Sequence, residues 1–136
     1  MAIHIQSGKN SLDCSIKHSK VHSVPFRIHA DCDAPVSRYF EPYVKETQGN
    51  VLKGSFRGYP LRGQKIAIPD GYIGLMLHEN IRPTIKKSER KFYIVNNFNE
   101  IVYWNWDKMP SRNDAFIKAL DWIEISEALH SPITEE

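Results

Sequence analysis

The chain has 136 residues, which is room for one domain and not for two full ones. Hydrophobic residues make up 41% and charged residues 25%, the ordinary soluble globular mix, which excludes disorder throughout. Eighteen Lys and Arg against 16 Asp and Glu leave a net charge of +2, which excludes a polybasic nucleic-acid arm, and no apolar run approaches the roughly 18–20 residues of a membrane span.

The opening residues, Met1-Ala2-Ile3-His4-Ile5-Gln6-Ser7-Gly8-Lys9, have no apolar h-region, so no secretory signal is expected. Cys14 and Cys32 are too few for a disulfide framework. The expectation is a soluble, intracellular, reduced protein. Residues 1–20 are polar and rich in Ser, Lys and Asn, and read as a loosely ordered N-terminal arm. Residues 21–136 read as a single β-rich domain.

Val24-Pro25-Phe26-Arg27-Ile28-His29 alternates weakly and predicts a short strand, with Pro25 favouring an edge or a strand start. Asp31 to Pro35 is a turn-type cluster, and Val36 to Phe40 predicts a strand or an extended segment. From Asn50 to Pro69, strand-like pieces are broken by Gly54, Gly58, Pro60, Gly63 and Pro69, which suits tight hairpins and bulges rather than a helix. Asp70-Gly71 marks a turn, and Tyr72 to Leu77 predicts another strand. Short strands at these intervals point to a barrel or sandwich. Residues 80–91 form a basic polar loop. Lys91 to Trp106 is the longest β-type run, with its turn at Asn96-Asn97 or equally at Asn99-Glu100.

The period then changes. Ser111 to Asp114 resembles a capping box, with Ser111 taking the first free amides and Asp114 complementing the dipole. Ala115, Ala119, Trp122, Ser126 and Leu129 recur at helical spacing, and Phe116, Leu120 and Ile123 form the neighbouring stripe. A C-terminal helix over about 112–130 with a wide apolar face is predicted. The fold class is mainly β, in an α+β pattern.

Four constellations bear on chemistry. Cys14, His18 and His22 are spaced four apart, with His29 and Cys32 following; such donors suit zinc, but no CxxC pair is present and solvated histidines are the favoured reading. Asp31 and Asp33, joined by Glu41, could hold a divalent ion, but turn capping explains the pair more simply. Cys14 or Cys32 lacks the context of a catalytic nucleophile. In Gly54 to Gly63, Arg57 and Arg62 with Phe56 and Tyr59 could bind a backbone and stack a base. The low net charge favours a protein interface there. A stand-alone nucleic-acid-binding β-barrel is the alternative function. The aromatic residues gathered late in the chain read as core, or as anchors of a large interface.

Three segments together resemble the C subunit of eukaryotic type 2 ribonuclease H. Val24-Pro25, then Asp31 and Ala34-Pro35-Val36-Ser37-Arg38-Tyr39-Phe40, are close to that family's D-G-P-A-P-V-S-x-Y-F pattern. Ser55-Phe56-Arg57-Gly58, Leu61-Arg62-Gly63 and Pro69-x-Gly71-Tyr72-Ile73-Gly74 are similar to its S-F-R-G-x-x-L-R-G stretch. Trp104-Asn105-Trp106, Pro110-Ser111 and Ala119-Leu120-x-Trp122 resemble its aromatic strand and closing helix. The likeness runs in chain order over roughly residues 21–130. Cys32-Asp33 stands where the family has Gly-Pro, Phe26 replaces a common Cys, and the 80–91 loop is short where many members carry an acidic insertion.

The resemblance implies a non-catalytic subunit interwoven with the B subunit in a shared β-barrel platform and touching the catalytic A subunit. The implied heterotrimer is nuclear. It degrades RNA in RNA:DNA hybrids and nicks DNA at misincorporated ribonucleotides, in replication and repair. The chain itself is expected to hold no cofactor, with magnesium in the catalytic A subunit. The residues agree on one point: no acidic cluster suited to two-metal hydrolysis stands out. Phe56, Arg57, Leu61, Arg62 and Trp122 are the expected partner-interface residues. Lys86, Lys87, Arg90 and Lys91 are the candidates for contact with a nucleic-acid backbone.

Overall fold

A computed structural model describes residues 3–6, 19–47, 49–79 and 89–132. In chain order the elements are β1 (Ile3–Gln6), β2 (Val21–Ser23), α1 (Val36–Tyr39), a 3-10 turn (Glu41–Tyr43), β3 (Lys45–Thr47), β4 (Val51–Phe56), β5 (Tyr59–Ala67), β6 (Gly74–His78), β7 (Arg90–Phe98), β8 (Glu100–Trp106) and α2 (Ala115–His130). The strands form two mixed sheets, β1-β7-β6 and β2-β8-β5-β4-β3. β1 runs parallel to β7, and β2 parallel to β8; the other neighbours are antiparallel. The fold is mainly β with a C-terminal helix, as its composition and spacing predict. Among the described residues neither sheet closes into a barrel: each ends on open strands. None of the described helices is long and apolar enough to cross a membrane.

The glycines shape the five-stranded sheet. Arg57 and Gly58 both have positive φ, 49° and 82°, so a two-residue turn joins β4 to β5 and pairs Phe56 with Tyr59. Alternation then puts Leu52, Leu61, Val102 and Trp104 on one face, where they are buried. Val24, Phe26, Phe40, Val44 and Phe56 pack against them. Trp104 is 0% exposed, and its ring lies over Gly63, where a Cβ would come within 2.6 Å of Cε3. The opposite face meets α2: Phe116 stacks on Tyr103 with centroids 5.2 Å apart. This sheet is packed on one face, and α2 touches the other through Phe116.

The long β-type run does not fold back as a hairpin. Its break falls at Asn99, and β7 and β8 pair in different sheets. The chain crosses from one sheet to the other over residues 97–99. Backbone bonds fasten the crossing: Ser19 N–H donates to the Asn97 carbonyl at 3.0 Å, and Ile68 N–H donates to that of Asn99 at 2.8 Å. Asn97 is buried, and the Phe98 ring occupies the space over Gly74.

Several local expectations are corrected. Residues 24–29 are not a strand; β2 precedes them. Pro25 has no amide to donate, its carbonyl accepts from Trp106 Nε1 at 3.2 Å, and Phe26 is drawn between Phe56 and Trp106. Val36 to Tyr39 is one helical turn, started after Pro35 and closed by Phe40 N–H to the Val36 carbonyl at 2.9 Å. Asp114, not Ser111, is the N-cap of α2, and its carboxylate reaches backwards, accepting from Ser111 N at 3.1 Å and Asn105 Nδ2 at 2.7 Å. Within the arm, residues 3–6 pair with β7.

Candidate interaction surfaces

Among the described residues, three surfaces carry exposed apolar or charged groups. The first is the three-stranded sheet. In β7, Arg90, Phe92 and Ile94 share one face, and the register sets Ile3 beside Arg90, Ile5 beside Phe92 and Leu77 beside Ile94. Ile3, Ile5 and Leu77 are exposed. Arg90 lies at the rim of this face. Its guanidinium donates to both Glu79 oxygens, at 2.8 and 2.6 Å, and sits 4.9 Å from the Phe92 ring centre. That hydrogen bonding raises the Arg90 pKa further. Arg90 is paired with Glu79, and Lys91 lies on the opposite, exposed face of β7. Lys86 and Lys87 lie outside the described residues.

The second surface is the outer side of α2. The two stripes of the sequence pattern part company. Phe116, Leu120 and Ile123 are half-buried toward the sheet, whereas Trp122 (65% exposed) and Leu129 (71%) face outward with Ile125. At 3.6 residues per turn these three fall within an arc of about 60°. The helix is held at its start by Asp114. Its carboxyl is kept below the usual carboxylate range by the Ser111 amide first, then by Asn105 and Lys108. Burial, with Asp114 adding to it, pushes the Tyr103 phenol up.

The third is the β4–β5 hairpin tip. The expected residues divide here. Leu61 is 1% exposed and belongs to the core. Phe56 is half-buried and stacked on Phe26 at 4.5 Å. Arg62 is half-buried, with Asp107 3.8 Å away. Arg57 stays exposed, its guanidinium 5.6 Å from the Phe56 ring centre. Beside it stand Tyr59 (64% exposed) and Trp106 (41%), their rings 5.5 Å apart at 71°. Trp106 is one of the late aromatic residues read as core or interface anchors, and its place in the sheet makes it the latter. Its signal was its place opposite Leu61 in the sheet, at the outer end of an alternating face.

Among the described residues His22 joins no metal cluster. Trp104 Nε1 donates to its Nδ1 at 3.1 Å, and Phe40 meets its ring edge-on. Nδ1 is therefore an acceptor, and burial lowers the His22 pKa despite Glu41, 3.9 Å from Nε2. Glu41 takes the Lys20 ammonium at 3.1 Å. Cys32 is a free, exposed thiol, and Asp31 and Asp33 are exposed. Cys14 and His18 lie outside the described residues, among which no group of three or more His, Cys, Asp or Glu could hold a metal.

Among the described residues, an apolar sheet face and an outward apolar helix face are left exposed. Residues 20–129 match the family model described as ribonuclease H2 non-catalytic subunit (Ylr154p-like). The chain is 24% identical to the ribonuclease H2 C subunit of Mus musculus over 141 residues, covering 87% of this chain and 84% of that protein. It is 21% identical to the Bos taurus protein of the same name over 140 residues, with the same coverage. The chain belongs to the ribonuclease H2 non-catalytic subunit family.

Proposed function

We propose that this chain is the scaffold subunit of a nuclear heterotrimer. It would pair with a B subunit and position a catalytic A subunit, which cuts RNA in RNA:DNA hybrids and nicks DNA at misincorporated ribonucleotides. The observation that carries the reading is the exposed face of β1-β7-β6. A sheet with Ile3, Ile5 and Leu77 exposed, whose edges β1 and β6 have no further strand among the described residues, calls for a second layer and a neighbouring strand. Strand addition from a B subunit supplies both at once. The outer face of α2, with Trp122 at its centre, is the second partner contact, because buried Trp anchors dominate interface energetics. Magnesium and the acidic cluster that binds it belong to the A subunit in this reading, where paired metals stabilise the attacking and leaving oxygens.

Co-expression with candidate A and B subunits tests the proposal. A stable ternary complex that cleaves hybrids, and loses cleavage when A is omitted, is expected. Failure to form the ternary complex, or hybrid cleavage without A, overturns it.

A further inference from the structure

We propose that Ser131 is a phosphorylation site for a proline-directed serine/threonine kinase, and that a phosphate there unwinds the last turn of α2 and weakens the partner contact on its outer face. The modification stands on this chain alone; its effect on assembly rests on the α2 contact proposed above.

Ser131-Pro132 is the single Ser-Pro or Thr-Pro pair in the sequence. It stands at the end of α2, where Ser131 is the C-cap with φ −61° and ψ 136°. Pro132 enforces that extended shape, because its ring crowds a helical residue before it. Proline has no amide N–H, so a cleft that selects it reads the ring and requires no hydrogen bond from that amide. Both residues are exposed, as is every residue over 124–132, and Ile123 is the last half-buried side chain of the helix. The last two turns thus keep no side chain inside the fold, and opening the final one to an enzyme costs little. The step is transfer of the γ-phosphoryl group of MgATP. Ser131 Oγ bonds to phosphorus, the bond from phosphorus to the bridging oxygen breaks, ADP leaves, and the hydroxyl proton passes to the catalytic aspartate of the kinase.

The product is badly placed for a helix. Ser131 holds the end of α2 twice over: its N–H donates to the Glu127 carbonyl at 2.9 Å, and its Oγ donates to the same oxygen at 2.6 Å. Esterification removes the hydroxyl hydrogen, and the second bond goes with it. The phosphate brings a charge of about −1.5 to −2 to the negative end of the helix dipole. Glu124 and Glu127 add like charge within the last two turns, against His130 as the basic residue of the last turn. Leu129 lies in the turn that is lost. With it goes one end of the outward apolar arc of Trp122, Ile125 and Leu129. A partner seated on that arc loses a contact and meets a new anion at its edge.

The test uses the full chain in the form in which it purifies, with MgATP and a cyclin-dependent kinase as the probe. Mass spectrometry of the intact chain and its fragments is expected to find one phosphate, on Ser131, and none in Ser131→Ala or Pro132→Ala. Far-ultraviolet circular dichroism is expected to lose about one turn of the 16-residue helix. Titration against partner subunits is expected to show affinity reduced about fivefold, the scale of one adverse charge at a helix end, and treatment with a protein phosphatase to restore it. Ser131→Ala removes the hydroxyl without adding charge and is expected to keep most of the affinity. No phosphate on Ser131, or equal labelling of Pro132→Ala, overturns the site. A phosphate that leaves helicity or affinity unchanged overturns its effect, as does Ser131→Ala weakening binding as much as the phosphate. If the unmodified chain binds no partner, the scaffold reading itself has failed. Labelling and helicity then decide the inference: labelling at Ser131 with loss of the turn supports it, and the absence of either refutes it.

Discussion

Gly63→Ala tests whether one close approach organises the core. The added Cβ would stand 2.6 Å from Trp104 Cε3 and 2.9 Å from two further ring atoms. An ordinary carbon contact needs about 3.5 Å, so the ring must retreat by about 0.9 Å. Trp104 has nowhere easy to go. It is fully buried, its indole N–H is bonded to His22 at 3.1 Å, and Phe40 abuts it with centroids 5.5 Å apart. Overpacking of this kind costs about 1–3 kcal/mol. Stretching the indole bond adds about 1 kcal/mol, and the better strand propensity of Ala returns about 0.5–1 kcal/mol. The net loss is about 2 kcal/mol, which at this chain length lowers Tm by about 6–10 °C. Thermal unfolding followed by circular dichroism measures it, on the chain in the form in which it purifies. Gly54→Ala is the control. Its Cβ would meet the same ring at an ordinary 3.4 Å, so stability should move by less than about 0.5 kcal/mol. If the two variants melt together, loss of glycine rather than the Trp104 contact governs the result, and the packing argument fails.

Trp122→Ala should leave the stability of the chain within about 0.5 kcal/mol and weaken partner binding by about 2 kcal/mol, near thirtyfold; equal affinity in a pull-down titration would remove α2 from the interface. Leu77→Asp should abolish assembly at the bare sheet while preserving the circular-dichroism spectrum, and retained assembly would contradict a partner there. His22 is held neutral, with its pKa below the ordinary 6.5, so its contribution is complete above that value and declines as pH falls below it, where the unfolded chain takes up the proton first. Denaturant midpoints between pH 7.5 and 5 should fall less steeply in His22→Gln. Asp114 works in the same sense at lower pH: its carboxylate stabilises the fold above about pH 4 and ceases to as protonation sets in below that. Asp114→Ala should therefore lower stability at neutral pH and flatten the acid limb of the pH profile.

How much was legible depended on whether the signal was local. The β4–β5 hairpin is encoded by adjacent residues, Arg57-Gly58, and α2 by an unbroken period, so both could be read directly. Residues 36–40 misled because β-branched and aromatic side chains suggest a strand, whereas Pro35 presets a helical turn and Phe40 is half-buried by tertiary contact with Trp104. The single run from 91 to 106 hid a change of sheet, because the residues that separate β7 from β8 differ in hydrogen-bond partners and not in propensity. Leu61 and Tyr59 are the sharpest case. They lie two apart in β5 and on one face, yet one is sealed and the other open. Only the position of the sheet's end distinguishes them, and no local pattern records where a sheet ends.

The unequal treatment of the two sheets follows from where the apolar residues went. The four buried hydrophobic side chains among the described residues, Leu52, Leu61, Val102 and Trp104, all belong to the five-stranded sheet. The three-stranded sheet contributes none, although β1, β6 and β7 carry Ile3, Ile5, Met76, Leu77 and Val95. A composition of 41% hydrophobic residues is thus enough for a full core, and the fold spends a large part of it on the surface. Two open edges beside such a face would template aggregation if left bare. Transient partners leave it bare each time they dissociate. The scaffold reading therefore requires a permanent companion on this sheet, and the near-neutral charge of the chain is what an obligate, largely apolar interface favours.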